Sequence, residues 1–223
     1  MLYSGVHPRF RPEAEPGERE RLQARYGIGD RPYVLSVGTV QPRKNYIRLI
    51  KAFTRLQTCN SQTCKLANLQ LADLQLANLQ LLIAGGRGWL YQDIFAEAEK
   101  QGDRVRLLGF VDEADLPALY RNAALFAFPS LYEGFGLPVL EAMACGVPVV
   151  CSDASSLPEV AGDAALLVDP HDEDALAEAM ARALEETDLR REMIIRGLAQ
   201  AARFTWERAA RQLVGMFDVG RET

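Results

Sequence analysis

Two short stretches hold the residue types from which chemistry can be built. The first, Gly38-Thr39-Val40-Gln41-Pro42-Arg43-Lys44-Asn45, runs into Tyr46, Leu49, Ile50, Phe53 and Leu56, an apolar stripe at helical spacing. Arg43 and Lys44 are thus expected at a helix N-terminus, where the macrodipole already presents positive charge and further cations are unfavourable. A bound anion reverses that sign, because two cations and free helix amides together make a phosphate cradle. A solvated basic pair is the alternative. The second stretch is Glu133-Gly134-Phe135-Gly136-Leu137-Pro138-Val139-Leu140-Glu141. Pro138 suits the first position of a helix and Gly146 followed by Pro148 suits its stop, which predicts a short helix over 138–145. Gly134 and Gly136 let backbone approach a ligand, with Glu133 in the loop and Glu141 in the first helical turn. A carboxylate accepts through two oxygens and can hold adjacent hydroxyls of a sugar or ribose, so the pair suits a sugar diphosphate. Taken alone, Glu141 serves the helix dipole equally well, and Glu133 is then an exposed loop residue.

The elements that must position these stretches follow from periodicity. Apolar runs at 33–37, 80–84, 105–108, 124–128, 147–151 and 164–168 lack polar alternation, as strands covered on both faces do. Helical patterns separate them, among them 114–122 and 174–184. The expected fold class is therefore α/β, a doubly wound parallel sheet of six strands. With strand order 3-2-1-4-5-6, strands one and four are neighbours at the switch point, and their loops carry the two stretches above. Thr205 offers an N-cap for a last helix reaching about residue 217. The expected organisation is a linker-like segment over 1–32, a ligand-binding domain over 33–204 and a C-terminal helix over 205–223.

One segment breaks the alternation. Ala67-Asn68-Leu69-Gln70-Leu71 and its two following copies, to Leu81, are tandem five-residue repeats inside an insertion at about 58–80. They resemble pentapeptide-repeat solenoids, but three units make less than one turn of such a stack. The last copy is expected to merge into the second strand; a partner-binding surface is the functional alternative.

Composition excludes several classes. With 48% apolar and 25% charged residues in 223, the chain reads as a globular protein, and a net charge of −5 offers no footprint for nucleic acid. No apolar run approaches the ~20 residues of a membrane span, so the default address is the cytoplasm. Cys59, Cys64, Cys145 and Cys151 lack zinc-type spacing, and neither a metal nor another cofactor is expected. The thiols read as reduced, with a Cys59–Cys64 disulfide as the alternative. Gly85-Gly86-Arg87-Gly88 follows the second strand and is not a dinucleotide fingerprint; it reads as a tight turn. Ser155, Ser156, His7 and His171 form no hydrolase triad.

Together, Pro42-Arg43-Lys44-Asn45, the loop Gly109-Phe110-Val111, the run Phe128-Pro129-Ser130-Leu131-Tyr132, and Glu133 and Glu141 in a Glu-x7-Glu motif resemble the retaining glycosyltransferases of GT-B architecture. That family includes bacterial mannosyltransferases and sucrose synthases. The resemblance covers nearly all of residues 3–217 apart from the insertion. It implies the Rossmann-like C-terminal half of a GT-B enzyme, a donor-binding domain. Arg43 and Lys44 would meet the donor diphosphate, backbone near Val111 the base, and amides around Gly136 and Leu137 the phosphate, with Gly134 and Phe135 in the same loop. Glu133 would hold the transferred sugar, as the candidate catalytic residue, and Glu141 the ribose. Glu141 is then expected to matter for any nucleotide, and Glu133 only for one that bears a sugar. Thr39 and Gln41 depart from the family's usual Arg and Glu. Leu2-Tyr3-Ser4-Gly5-Val6-His7 resembles an interdomain linker, so the expectation is a donor half of a hexosyltransferase, using GDP-mannose or a UDP-sugar, inactive alone, and either partnered by a separately encoded acceptor-binding domain or derived from a split or truncated gene. A non-catalytic nucleotide-sugar-binding module, a gene remnant and a repeat-mediated interaction protein are the competing readings.

Overall fold

The computed structural model describes residues 4–58 and 78–218. Six strands, β1 (Tyr33–Val37), β2 (Gln80–Ala84), β3 (Val105–Gly109), β4 (Leu125–Phe128), β5 (Val149–Ser152) and β6 (Ala165–Val168), form one sheet in the order β3-β2-β1-β4-β5-β6. Every neighbouring pair is parallel, with Val34 opposite Leu81 on one side and Leu125 on the other. The doubly wound sheet expected from the sequence is present, and β1 and β4 are neighbours.

The absence of polar alternation has a direct structural cause. Successive strand residues point to opposite faces, and both faces are covered. Val34, Leu81, Ile83, Leu125, Ala127 and Val150 pack into one core with α2 (Tyr46–Thr58), α3 (Gln92–Glu99) and α7 (Glu173–Glu185). Leu35, Leu82, Phe126, Phe128, Val149 and Cys151 pack into the other with α4 (Leu116–Arg121), α5 (Leu137–Ala144) and α6 (Leu157–Ala161). The α2 stripe predicted from Tyr46, Leu49, Ile50, Phe53 and Leu56 is buried throughout. Each such large side chain contributes about 1.5–3 kcal/mol by leaving water. After α8 (Thr187–Ala201), the chain turns into α9 (Trp206–Asp218), where the Thr205 hydroxyl accepts from the Arg208 N–H at 3.2 Å, as an N-cap does.

The linker-like segment 1–32 holds more structure than its composition suggests. It carries α1 (Glu18–Tyr26) and sends Phe10, Leu22 and Ile28 into the core. Helix α1 has little apolar stripe. It is fastened to α4 by a buried ion pair, Arg121 Nη2 to Glu18 Oε2 at 2.7 Å, and by Arg25 Nη1 to Asp115 Oδ2 at 2.5 Å. Gln80 opens β2 and Leu79 is buried, so the last repeat copy merges into the strand. The rest of the insertion, with Cys59 and Cys64, lies outside the described residues. Cys145 and Cys151 are free thiols that burial raises to about 12.

Candidate functional site

The loops after β1 and β4 meet at the carboxyl edge of the sheet, where ligands bind in open α/β folds. Pro42–Lys44 form a single 3-10 turn rather than the start of α2, and Asn45, with φ 60°, redirects the chain into that helix. Asn45 holds this turn in place by donating from Nδ2 to the carbonyls of Pro129 (3.0 Å) and Pro170 (2.7 Å). The Leu131 N–H donates to the Arg43 carbonyl at 2.9 Å, so the two loops are tied backbone to backbone.

That tie brings three charges together. Lys44 Nζ donates to Glu133 Oε1 at 2.6 Å, and Arg43 Nη1 donates to Glu133 Oε2 at 3.0 Å and to the Tyr132 carbonyl. Lys44 is 7% exposed, with its ammonium 4.6 Å from the centre of the Phe128 ring, and Glu133 is 9% exposed. Neither is a solvated surface charge. Ser130 Oγ lies 2.6 Å from Glu133 Oε1, the Glu133 N–H donates to Ser155 Oγ at 2.8 Å, and Ser156 Oγ donates to the Glu133 carbonyl at 3.0 Å. Burial works to raise the Glu133 pKa, but donors from Lys44, Ser130 and Arg43 outweigh it and hold the carboxyl below its ordinary range. Lys44 moves down as well: burial acts on it more strongly than its one acceptor restores. Two cations share one carboxylate, which leaves one unit of positive charge for an incoming anion.

Beside this group lies the N-terminus of α5. The helix begins at Leu137, so Pro138 takes the second position and Glu141 the fifth, just past the first turn in which it was expected. The Val139 N–H donates to the Gly136 carbonyl at 3.0 Å and Pro138 has no N–H. Among the described residues the N–H groups of Gly136 and Leu137 have no partner, as an anion site requires. Gly136 has φ 110°, and a Cβ there would meet Leu157 Cδ2 at 2.7 Å, so the fold itself demands glycine. At Gly134 a Cβ would meet nothing within 4 Å, and the residue is exposed. Packing therefore does not explain glycine at 134.

The remaining expected residues lie on the same edge. Val111 is 5% exposed with its side chain in the core, so its backbone is what it can offer, while neighbouring Phe110 is 78% exposed. Phe135 packs edge-on against Phe204, with ring centroids 5.9 Å apart, and its carbonyl accepts from Ser156. Glu141 accepts from the Tyr120 hydroxyl at 3.0 Å; burial raises its pKa, opposed by Tyr120 and Arg9 and aided by Glu113. The tight turn expected at Gly85 is a close approach of neighbouring strand ends, where a Cβ would fall 2.0 Å from the Gly38 carbonyl oxygen. Sequence reasoning assigned no role to Asn45, Ser130, Ser155, Ser156 or Tyr120. Asn45 and Ser130 stand inside the quoted motifs; the other three have no local signal. A cleft of about 550 Å3 at the amino ends of β1 and β4, lined by residues including Arg19, Gln23, Tyr33 and Ala124, lies at the other edge and holds none of these groups.

Residues 18–200 match the family described as Glycosyl transferases group 1. The chain is 39% identical over 207 residues to the O-antigen chain mannosyltransferase B of Escherichia coli, covering 92% of this chain and 50% of that protein. It is 36% identical to a D-inositol 3-phosphate glycosyltransferase of Salinispora arenicola, covering 94% of this chain and 46% of that one. It thus spans about half the length of these relatives. Among solved structures, sucrose-phosphate synthase from Thermosynechococcus elongatus is 28% identical with TM-score 0.76, covering 97% of this chain and 51% of its own. The Anabaena protein HepE, solved in complex with UDP and glucose, shares the fold at 23% identity and TM-score 0.77, over 97% of this chain and 56% of its own. The chain belongs to the group 1 glycosyl transferases. No helix among the described residues is long and apolar enough to cross a membrane.

Proposed function

With that membership as premise, we propose that this chain binds a nucleotide-diphosphate sugar and forms the donor-binding half of a retaining hexosyltransferase. The observation that carries the reading is the convergence of Arg43 and Lys44 on Glu133, beside the amides of Gly136 and Leu137, which have no partner among the described residues. Cations and amides take the diphosphate, Glu133 the transferred sugar, Glu141 the ribose hydroxyls, and backbone at Val111 the base. The mannosyltransferase relative makes GDP-mannose the first candidate donor, and UDP-bound HepE makes UDP-sugars the second.

The state of Glu133 favours positioning over covalent attack. Both its oxygens accept hydrogen bonds from buried or half-buried donors, which stabilises the anion and lowers its nucleophilicity. In the retaining reaction proposed here, the bond from the sugar's anomeric carbon to phosphate breaks. The acceptor oxygen bonds to the same face, and its proton passes to the departing phosphate. The protein contributes by placing the reactants and stabilising the charge that develops on phosphate.

Calorimetry on the chain with GDP, UDP, GDP-mannose and UDP-glucose tests this reading. At least one nucleotide should bind, with Kd no tighter than about micromolar for a chain spanning about half the length of its relatives. Arg43→Ala or Lys44→Ala should weaken binding by about 1.5–3 kcal/mol, the scale of a hydrogen bond to a charged group. Absence of binding, or equal affinity for wild type and both variants, overturns it.

A further inference from the structure

Glu141 is held from below by one residue that no motif includes. Tyr120, on α4, is 0% exposed, and its ring is clamped between Phe10 (centroids 5.8 Å, edge-on) and Phe126 (5.4 Å). A ring so enclosed has one place for its hydroxyl, and that place is 3.0 Å from Glu141 Oε2. Among the described residues this is the hydrogen bond that the Glu141 carboxylate makes; Oε1 makes none. We propose that Tyr120 is the positioning residue of Glu141. It occupies one oxygen and fixes the carboxylate plane so that Oε1 stands ready to accept from a ribose hydroxyl.

The chemistry explains why such a holder is needed. Glu141 lies on a helix flank that packs on α4, in a setting where burial works against its charge. A single buried hydroxyl donor opposes that effect and orients the carboxyl without consuming both acceptor oxygens, which an arginine fork would do. Arg9, close enough to act on Glu141 electrostatically, is itself paired with Glu113 at 3.1 Å. It supplies field rather than position. The inference rests on the proposed donor reading, in which Glu141 receives the ribose.

The test uses UDP and GDP and their 2′,3′-dideoxy counterparts, titrated calorimetrically into the chain and into Tyr120→Phe, which keeps the ring and removes the hydroxyl. The variant should lose about tenfold in affinity for the ribonucleotides and nothing for the dideoxy forms, so that discrimination between the two collapses. An equal loss for both forms would mean a packing role only, and no loss at all would mean that Glu141 needs no holder; either overturns the proposal. Should Tyr120→Phe not fold, 4-fluorophenylalanine at position 120 fills the hydroxyl's space without a donor, and the same collapse is expected. Wild type that binds no nucleotide would remove the donor reading itself. Wild type that binds both forms equally would remove the ribose role of Glu141 and this inference, leaving the phosphate site standing.

Discussion

Replacing Glu133 by Gln should do two opposite things, and the ion-pair geometry sets the size of each. The substitution keeps shape and an acceptor oxygen but removes the charge that Lys44 faces at 2.6 Å. Lys44 is 7% exposed, so it becomes a buried cation with no counter-ion. Breaking a buried pair costs about 3–5 kcal/mol, and the remaining amide oxygen argues for the lower end. Nothing is added for Arg43, whose side chain is 36% exposed and screened by water. A loss of ~3 kcal/mol corresponds to roughly 6–12 °C in Tm for a domain of this size. A bare nucleoside diphosphate should then bind the variant about tenfold or more tightly than wild type, because its phosphates no longer compete with Glu133 for the same cations. The sequence alone predicts no change for a bare nucleotide; the structure reverses that by making Glu133 the cations' resident partner. A sugar-bearing donor gains less, since it also loses the carboxylate that would hold its hydroxyls. Differential scanning calorimetry and nucleotide titration on the two proteins decide the matter. A variant that melts within about 1 °C of wild type and binds UDP and GDP no more tightly refutes the reasoning.

The two loop glycines should behave differently. Gly134→Ala should leave Tm within about 1 °C of wild type, since its Cβ meets open space, yet weaken donor binding, whereas Gly136→Ala should destabilise the fold through its φ of 110° and Leu157. Thermal melts beside nucleotide titrations separate them. Acid should remove the contribution of Glu133: its folded pKa is depressed, so the stability it supplies is present above its unfolded value and is lost as pH falls through the folded one. Wild type should therefore lose stability below about pH 4.5 more steeply than Glu133→Gln, as melts at stepped pH would record. Finally, the 223-residue chain given labelled GDP-mannose or UDP-glucose and a range of acceptors should form no glycoside at an appreciable rate, although slow donor hydrolysis is compatible with the proposal. Robust glycoside formation without a second chain would refute it.

Much of the fold was legible because its signals are local. Strands buried on both faces must be apolar without alternation, and the runs at β1 and β2 were bounded to the residue. Helix α2 announced itself by its stripe and α9 by Thr205. Arg43 and Lys44 stood out for a local reason too, since cations ahead of a helix oppose its dipole, whereas Glu133 and Glu141 carry no such conflict and stood out only by flanking a Gly-rich helix start. Helix α1 was not legible. Its sequence, ERERLQARY, has almost no apolar face, and what fastens it is Arg121 and Asp115, about 90–100 residues away in the chain.

The sequence by itself therefore determined the α/β class and the strand positions, and singled out the candidate residues of the site, because periodicity and local charge conflict are properties of neighbouring residues. Only the tertiary structure decided who partners whom. That Glu133 is the counter-ion of Arg43 and Lys44 follows from strand order, which sets β4 beside β1 and brings together residues 90 and 89 positions apart; Ser155 reaches Glu133 from the loop after β5, 22 positions on, and the Tyr120 hydroxyl meets Glu141, 21 positions on, where α4 packs on α5. A buried charge takes whichever opposite charge the fold delivers to it, and no local pattern encodes that choice.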